Sequence, residues 1–313
     1  MYYLLYAPDD LQFKTKDNTW YSPIYFLLFT FYLNPLLSFY FYLLSLLEMN
    51  LKQKYGSTAL VAGASEGIGA AFATFLAGEG MDLILIARRL QPLEQLADLL
   101  GNRYKVNVMC ISCDLSGENA IQEIEEGLNG KEISLLVYNA ALSYIGPFIK
   151  NSAENHSQAA RVNMITPLKM VRLYGEKMLT HGKGAVVLMT SLAGFQGSGY
   201  LSVYAATKAF NRILAESLWY EWKNSGVDVI ACCAGATATP GFKNTYPEKT
   251  GFLTPRVLDP EEVVHECFKK LGKQPSYITG RANRLASFIM QKILPRKMAI
   301  NIMGDTTRKM YRL

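Results

Sequence analysis

The 313-residue sequence predicts one α/β domain on a doubly wound parallel sheet, with a hydrophobic N-terminal segment before it and a basic helical extension after it. Three observations carry this prediction. Strand-like and helix-like stretches alternate between residues 57 and 280. The strand-like runs are mostly continuous Val/Ile/Leu, as expected of strands buried on both faces of a parallel sheet. A glycine-rich loop directly follows the first run and opens a helix. Repeated strand–helix units join by right-handed crossovers into an open sheet with helices on both faces.

In chain order, strands are predicted at Ser57–Ala62, Asp82–Ala87, Lys105–Ser112, Ile133–Tyr138, Ala185–Thr190, Val227–Cys233 and Ser276–Thr279. Helices are predicted near 67–79, 90–100, 117–128, 157–180, 203–224 and 260–271. The last starts at Asp259-Pro260-Glu261-Glu262, which offers an N-cap, a proline at the first position and acids in the first turn. This divides the chain into residues 1–48, a domain over 49–280, and an extension over 281–313.

The N-terminal segment has no charged residue from Asn18 to Leu47, and Glu48 ends the run. That exceeds the ~20 apolar residues needed to span a bilayer. No basic region precedes it, so a secretory signal fits badly. Asn34-Pro35 would kink a spanning helix. Lys14 and Lys16 on one side balance Lys52 and Lys54 on the other, leaving orientation open. Three readings stand: a membrane anchor facing the cytoplasm, a start read too far upstream of Met49 (leaving a cytoplasmic domain), or a buried helix.

Half of the residues are hydrophobic, which excludes chain-wide disorder. Five cysteines exclude a disulfide scaffold and fit a reducing compartment. The net charge of +6 is uneven: from Lys273 onward there are nine Lys/Arg and one acid, Asp305. A basic tail on a near-neutral body lacks the broad footprint of a nucleic-acid binder.

The glycine loop is Gly63-Ala64-Ser65-Glu66-Gly67-Ile68-Gly69. Glycines let backbone approach a pyrophosphate, and the helix start offers free N–H groups to the phosphates. The second strand ends in Arg88-Arg89, where an acid would bind a bare ribose. Arginine there suits a 2′-phosphate, favouring NADP(H). Tyr204 and Lys208, four apart on one helix face, can form an acid/base pair, because a nearby ammonium favours the phenolate. Ser191, at the end of a buried strand, and Asn163, in a long helix, are further polar candidates.

Taken together these motifs resemble the short-chain dehydrogenase/reductase family, over roughly residues 57–280. Asp114 after the third strand and Asn139-Ala140 after the fourth also fall in family order. The resemblance implies a Rossmann-like fold and a homo-oligomer. It implies Tyr204 as general acid/base, with Lys208 lowering its pKa and holding the nicotinamide ribose. Ser191 would hydrogen-bond the reacting carbonyl and Asn163 would keep a relay water. Gly63, Ser65, Gly67, Ile68, Gly69, Arg88, Asp114, Asn139 and Thr237 would contact the cofactor, with Ser65 and Arg88 taking the 2′-phosphate. Ala62, Ala141 and Ala234 depart from the family pattern, and none removes a catalytic group. The Arg-ended second strand and the preceding hydrophobic segment resemble the hydroxysteroid dehydrogenase and 3-ketoacyl reductase branch. The expected substrate is an apolar ketone, whether 3-ketoacyl, steroid-like or aliphatic. A non-catalytic dinucleotide sensor or scaffold at a membrane is the competing class, and the Ser191–Tyr204–Lys208 set argues against it.

Other groups read as structural. Cys110 and Cys113 lie three apart on a predicted strand and face opposite ways, so no shared metal or disulfide is expected. His156, His181 and His265 have no metal-ligand spacing. The long stretch 236–258, with Phe242, Phe252 and Leu253, is expected to fold over an apolar substrate as a lid, with packing in the core as the alternative. In the tail, Leu285, Phe288, Ile289 and Ile293 recur at helical spacing among Arg281, Arg284, Lys292, Arg296 and Lys297, and Pro295 divides two helices. Such a helix can lie on an anionic membrane surface, grip an acidic carrier such as an acyl group's phosphopantetheine or CoA, or pack on the body or a partner subunit.

Overall fold

The computed structural model describes Phe13–Lys14, Trp20–Tyr21 and residues 51–245 and 256–313. The chain divides into Met1–Asn50 and Leu51–Leu313. In the first unit, Phe13–Lys14 pairs antiparallel with Trp20–Tyr21. The rest of the uncharged run at 18–47 lies outside the described residues. Among the described residues no helix is long and apolar enough to cross a membrane.

The second unit is built on a seven-stranded parallel sheet. Its strands are β1 (Thr58–Ala62), β2 (Asp82–Ala87), β3 (Val108–Ser112), β4 (Leu135–Tyr138), β5 (Gly184–Ser191), β6 (Val227–Ala234) and β7 (Ser276–Ile278). Their spatial order is β3-β2-β1-β4-β5-β6-β7. The chain first winds outward from β1, then returns to pair β4 against its other side. That reversal opens a crevice at the C-terminal ends of β1 and β4, where ligands bind in such sheets.

Alternate residues of each strand feed two separate cores. On β1, Ala59 and Val61 pack on one face, and Leu60 and Ala62 on the other. Helices α1 (Gly67–Gly78), α2 (Leu90–Tyr104) and α7 (Pro260–Lys270) cover the first face. Helices α3 (Ala120–Leu128), α5 (Thr166–His181) and α6 (Ser202–Trp222) cover the second. Cys110 packs on the first core and Cys113 lies in the second, as their spacing requires. All five thiols are free.

Several boundaries differ from expectation for local reasons. The third strand starts at Val108, because Lys105 takes a left-handed conformation (φ 57°) that ends α2. The long helix before β5 starts earlier, as α4 (Ala153–Ala160), and passes through a π turn at Arg161–Ile165 into α5. Ser152 caps it, its hydroxyl accepting from the Asn155 N–H at 3.1 Å. Asp259 precedes α7 with Pro260 at the first position, but its side chain makes no cap bond.

The stretch after β6 leaves and returns at one point. Thr237 bridges Leu258, with Ala238 N–H donating to the Leu258 carbonyl at 2.8 Å. Phe242 sits in a single helical turn, Pro240–Lys243. Phe252 and Leu253 lie outside the described residues. Beyond β7 the chain forms α8 (Arg281–Phe288), a π turn at Ile289–Ile293, a break at Leu294-Pro295 and α9 (Arg296–Met310). In α8 the buried residues are polar, Asn283 and Ser287. Leu285, Phe288 and Ile293 are all more than half exposed.

Candidate active site

The crevice begins where β1 ends. Gly63 turns the chain with φ +80°, its N–H donating to the Ile86 carbonyl at 2.8 Å. The Asn139 amide donates to the Gly63 carbonyl at 2.9 Å, tying the loop to the end of β4. A Cβ on Gly69 would stand 1.9 Å from the Gly63 carbonyl oxygen, so only glycine lets α1 start this close to the loop. Gly67, at φ +60°, brings the segment after β6 alongside, since a Cβ there would meet Thr239 at 2.7 Å. No side chain caps the start of α1, so its first N–H groups point into the crevice end of the helix. This cradle fits a dinucleotide pyrophosphate. Gly69→Ala should therefore destabilise the fold by about 1–3 kcal/mol in urea unfolding. Parent-like stability would show that the loop relaxes freely.

The remaining cofactor candidates surround this loop. Ser65 and Ile68 are half-buried in it, and Ile68 also packs on the core. Arg88 is exposed at the end of β2, and Arg89 pairs with Glu66 of the glycine loop at 2.9 Å. The two arginines are thus divided: one braces the loop and the other stands open to a ligand. The Ser116 N–H holds the Asp114 carboxyl below its usual range, with the Ser116 hydroxyl and the Arg88 charge adding to it. Thr237 is buried and donates to the Gly235 carbonyl at 3.2 Å.

The chemical groups lie across the crevice. Ser191 ends β5, and its hydroxyl accepts from the Ala193 N–H at 3.2 Å while bonding the Tyr204 phenol. Gly194 makes this possible: a Cβ there would stand 2.7 Å from the Ala209 nitrogen, so the turn presses directly on the α6 backbone. Lys208 is 2% exposed, donates to the Met189 carbonyl at 2.8 Å, and lies 5.7 Å from the Tyr204 ring centre. Beside Tyr204 a small cleft is lined by Tyr144, Phe148, His156 and Val203.

The expected lowering of the Tyr204 pKa is not seen: the phenol lies above its ordinary range. Burial pushes the phenol up, the Ser191 hydrogen bond opposes it, and Tyr311 pushes it further up. The same burial brings Lys208 itself down to about 8, so it gives up its proton more readily than an exposed lysine. The Asn163 side chain is anchored on two segments. Its Oδ1 accepts from Leu142 N–H at 2.7 Å, and its Nδ2 donates to the Leu142 carbonyl at 2.8 Å and to Thr207 at 3.1 Å. Its carbonyl accepts from Asn211 at 2.9 Å. Asn163 therefore braces the chain after β4 against α6, from within a π turn of the kind common at functional sites.

The Lys208 shift has a consequence for stability. The unfolded side chain titrates near 10.5 and the folded one near 8, so between these values the unfolded chain binds more protons. The stability tied to this group rises as pH climbs through that window and is lost as pH falls. Urea unfolding at pH 8 and at about pH 9.5, below tyrosine ionisation, should show the parent gaining on Lys208→Met. A constant gap between the two would contradict it.

Among the described residues no three potential metal ligands come together. The strand order and the glycine cradle at its reversal define a dinucleotide-binding enzyme fold. The chain matches the short chain dehydrogenase family model over residues 57–250, and it belongs to that family. It is 33% identical over 236 residues to a 7β-hydroxysteroid dehydrogenase of Clostridium sardiniense, covering 75% of this chain and 90% of that one. It is 28% identical over 247 residues to the very-long-chain 3-oxoacyl-CoA reductase-B of Danio rerio, covering 78% of each. A solved 7β-hydroxysteroid dehydrogenase superposes with a TM-score of 0.78 at 31% identity, covering 82% of this chain and 99% of that one. A short-chain dehydrogenase of Sphingobium yanoikuyae in complex with NADPH gives 0.66 at 28% identity, covering 76% and 96%. The protein is an NAD(P)-dependent oxidoreductase of the hydroxysteroid dehydrogenase and ketoacyl reductase branch, with hydroxyl/ketone redox as its chemistry.

Proposed function

We propose that the protein uses NADPH to reduce an apolar ketone to an alcohol, with Tyr204 as the proton donor. The observation that carries this reading is the Ser191–Tyr204–Lys208 assembly at the C-terminal end of β5. When bound, the nicotinamide supplies the hydride. The protein's residues handle position and the proton. Ser191 offers its hydroxyl to the carbonyl oxygen. Tyr204, held protonated by burial at neutral pH, gives its proton to that oxygen as negative charge grows there. Lys208 would hold the nicotinamide ribose. Asn163 keeps the 142 segment in place, and Asp114 and Asn139 line the cofactor cleft. Arg88, charged and open beside the end of β2, favours the 2′-phosphate of NADP(H), with Ser65 completing that contact. A phenol that keeps its proton suits reduction better than oxidation.

The apolar substrate follows from the relatives, whose names specify steroid and very-long-chain 3-oxoacyl substrates. The experiment is NADPH oxidation by residues 49–313 and by the full chain, against aliphatic, 3-ketoacyl and steroid ketones. Turnover rising with ketone size supports the reading. Tight NADPH binding with no turnover on any of them would support a sensor.

The partner reading has its own observation. Leu285, Phe288 and Ile293 face outward in a stretch whose charges, from Arg281 to Lys297, are all basic. We propose that this surface touches an anionic membrane. Co-sedimentation with anionic vesicles should occur and weaken as salt rises; salt-independent or absent binding would contradict it. Leu168, Ile213 and Tyr220, exposed on α5 and α6, are the proposed self-association face, to be checked by light scattering.

A further inference from the structure

The cleft beside Tyr204 holds a histidine whose two ring nitrogens have different duties. His156, on α4, lines that cleft together with Tyr204. Its ring lies flat on the Phe148 ring, with centroids 4.3 Å apart and planes 11° apart. Its Nε2 stands 3.0 Å from the Phe148 carbonyl oxygen. A carbonyl oxygen only accepts, so this contact requires the proton on Nε2. In the neutral ring Nδ1 is then an acceptor. Among the described residues no group donates to it. Asn151, on the same cleft, has a side-chain amide that also makes no hydrogen bond among the described residues. Around these two polar groups, Phe148, Val203 and Ala159 present hydrocarbon. The Tyr144 hydroxyl is engaged, donating to Gln158 at 2.6 Å.

We propose that His156 is a specificity-determining residue whose Nδ1 accepts a hydrogen bond from a hydroxyl on the ketone, so that the substrate is a hydroxyketone. A ketone held at Tyr204 by its carbonyl meets His156 with another part of itself, since both residues line one cleft. The stack on Phe148 and the Nε2 bond fix the imidazole, so the acceptor is in place before the ligand arrives. A site built around such an acceptor disfavours a ligand of the same shape that lacks the donor, because the acceptor is left unpaired. A hydroxyl both donates and accepts, so the Asn151 amide can donate to the oxygen whose proton His156 takes up. This inference rests on the ketone-reductase reading and adds a second polar group to its substrate.

The test separates the two ring nitrogens. His156→Asn keeps a polar group near the Nδ1 position and gives up the bond to Phe148. His156→Gln reaches the Nε2 position, keeps that bond and gives up Nδ1. The full chain and both variants would be given 4-hydroxycyclohexanone and 6-hydroxy-1-decalone, each beside the ketone with methyl in place of the hydroxyl. The parent should favour the hydroxyketone of at least one pair by about tenfold in kcat/KM. His156→Asn should keep most of that preference and His156→Gln should lose it, with NADPH affinity by fluorescence within about twofold in both. A parent with no preference in either pair would overturn the proposal. So would a preference in His156→Asn no greater than in His156→Gln, which would make His156 a brace for the Phe148 turn. If the parent reduces none of the four ketones, that result counts against the reductase reading alone, and binding decides the role of His156. Calorimetry on the NADP+ complex would then compare the diols with the methyl-bearing alcohols. Tighter diol binding in the parent and His156→Asn than in His156→Gln supports the proposal, and equal binding overturns it.

Discussion

Tyr204→Phe should lower kcat by about 10²–10⁴-fold and leave NADPH affinity within about twofold. The change removes one oxygen from a half-buried ring on α6 and leaves the packing in place. It deletes the group that would protonate the reduced oxygen, so the loss belongs in kcat. Ser191 stays at the end of β5, since the Ala193 N–H contact that places its hydroxyl does not involve the phenol. Lys208 also stays, because its ammonium is anchored on the Met189 carbonyl. Stopped-flow turnover beside a fluorescence titration separates the two quantities. An equal fall in both would make Tyr204 a structural residue.

Arg88→Ala should weaken NADPH binding by about 10–100-fold and NADH binding hardly at all, the expected worth of one charge-assisted contact to phosphate. Arg89 cannot replace it, being held by Glu66 at 2.9 Å. Arg89→Ala should act differently. It releases the glycine loop and should weaken both cofactors alike, to a smaller degree, because an exposed pair contributes little. Equal losses of NADPH and NADH in Arg88→Ala would remove the 2′-phosphate assignment.

The sheet was legible because its strands are buried on both faces. Runs such as Asp82–Ala87 carry that pattern without help from distant residues. The glycine loop was legible for a related reason: the 1.9 Å approach at Gly69 is a local steric demand that only glycine meets. Ser191, Tyr204 and Lys208 could be found because their spacing fits a strand end and one helix face. What escaped depends on contacts far along the chain. The pairing of Glu66 with Arg89, 23 residues away, left no local mark. The bracing of Asn163 on Leu142 and Thr207 left no local mark, since both partners lie far along the chain. The lowering of the Tyr204 pKa failed because a four-residue spacing says nothing about burial, which acts on both groups here. A π turn leaves no mark in hydrophobic periodicity, so the kink at Arg161–Ile165 was also invisible.

The most direct test of the central claim is isotopic. The protein would be given NADPH deuterated at the transferable position of the nicotinamide, together with the ketone that turns over fastest, and the alcohol analysed by mass spectrometry. The expected result is one deuterium on the carbinol carbon with the parent chain and no labelled alcohol with Tyr204→Phe. Unlabelled alcohol from the parent, or labelled alcohol formed as fast by Tyr204→Phe, would contradict the assignment of hydride transfer with Tyr204 as its proton donor.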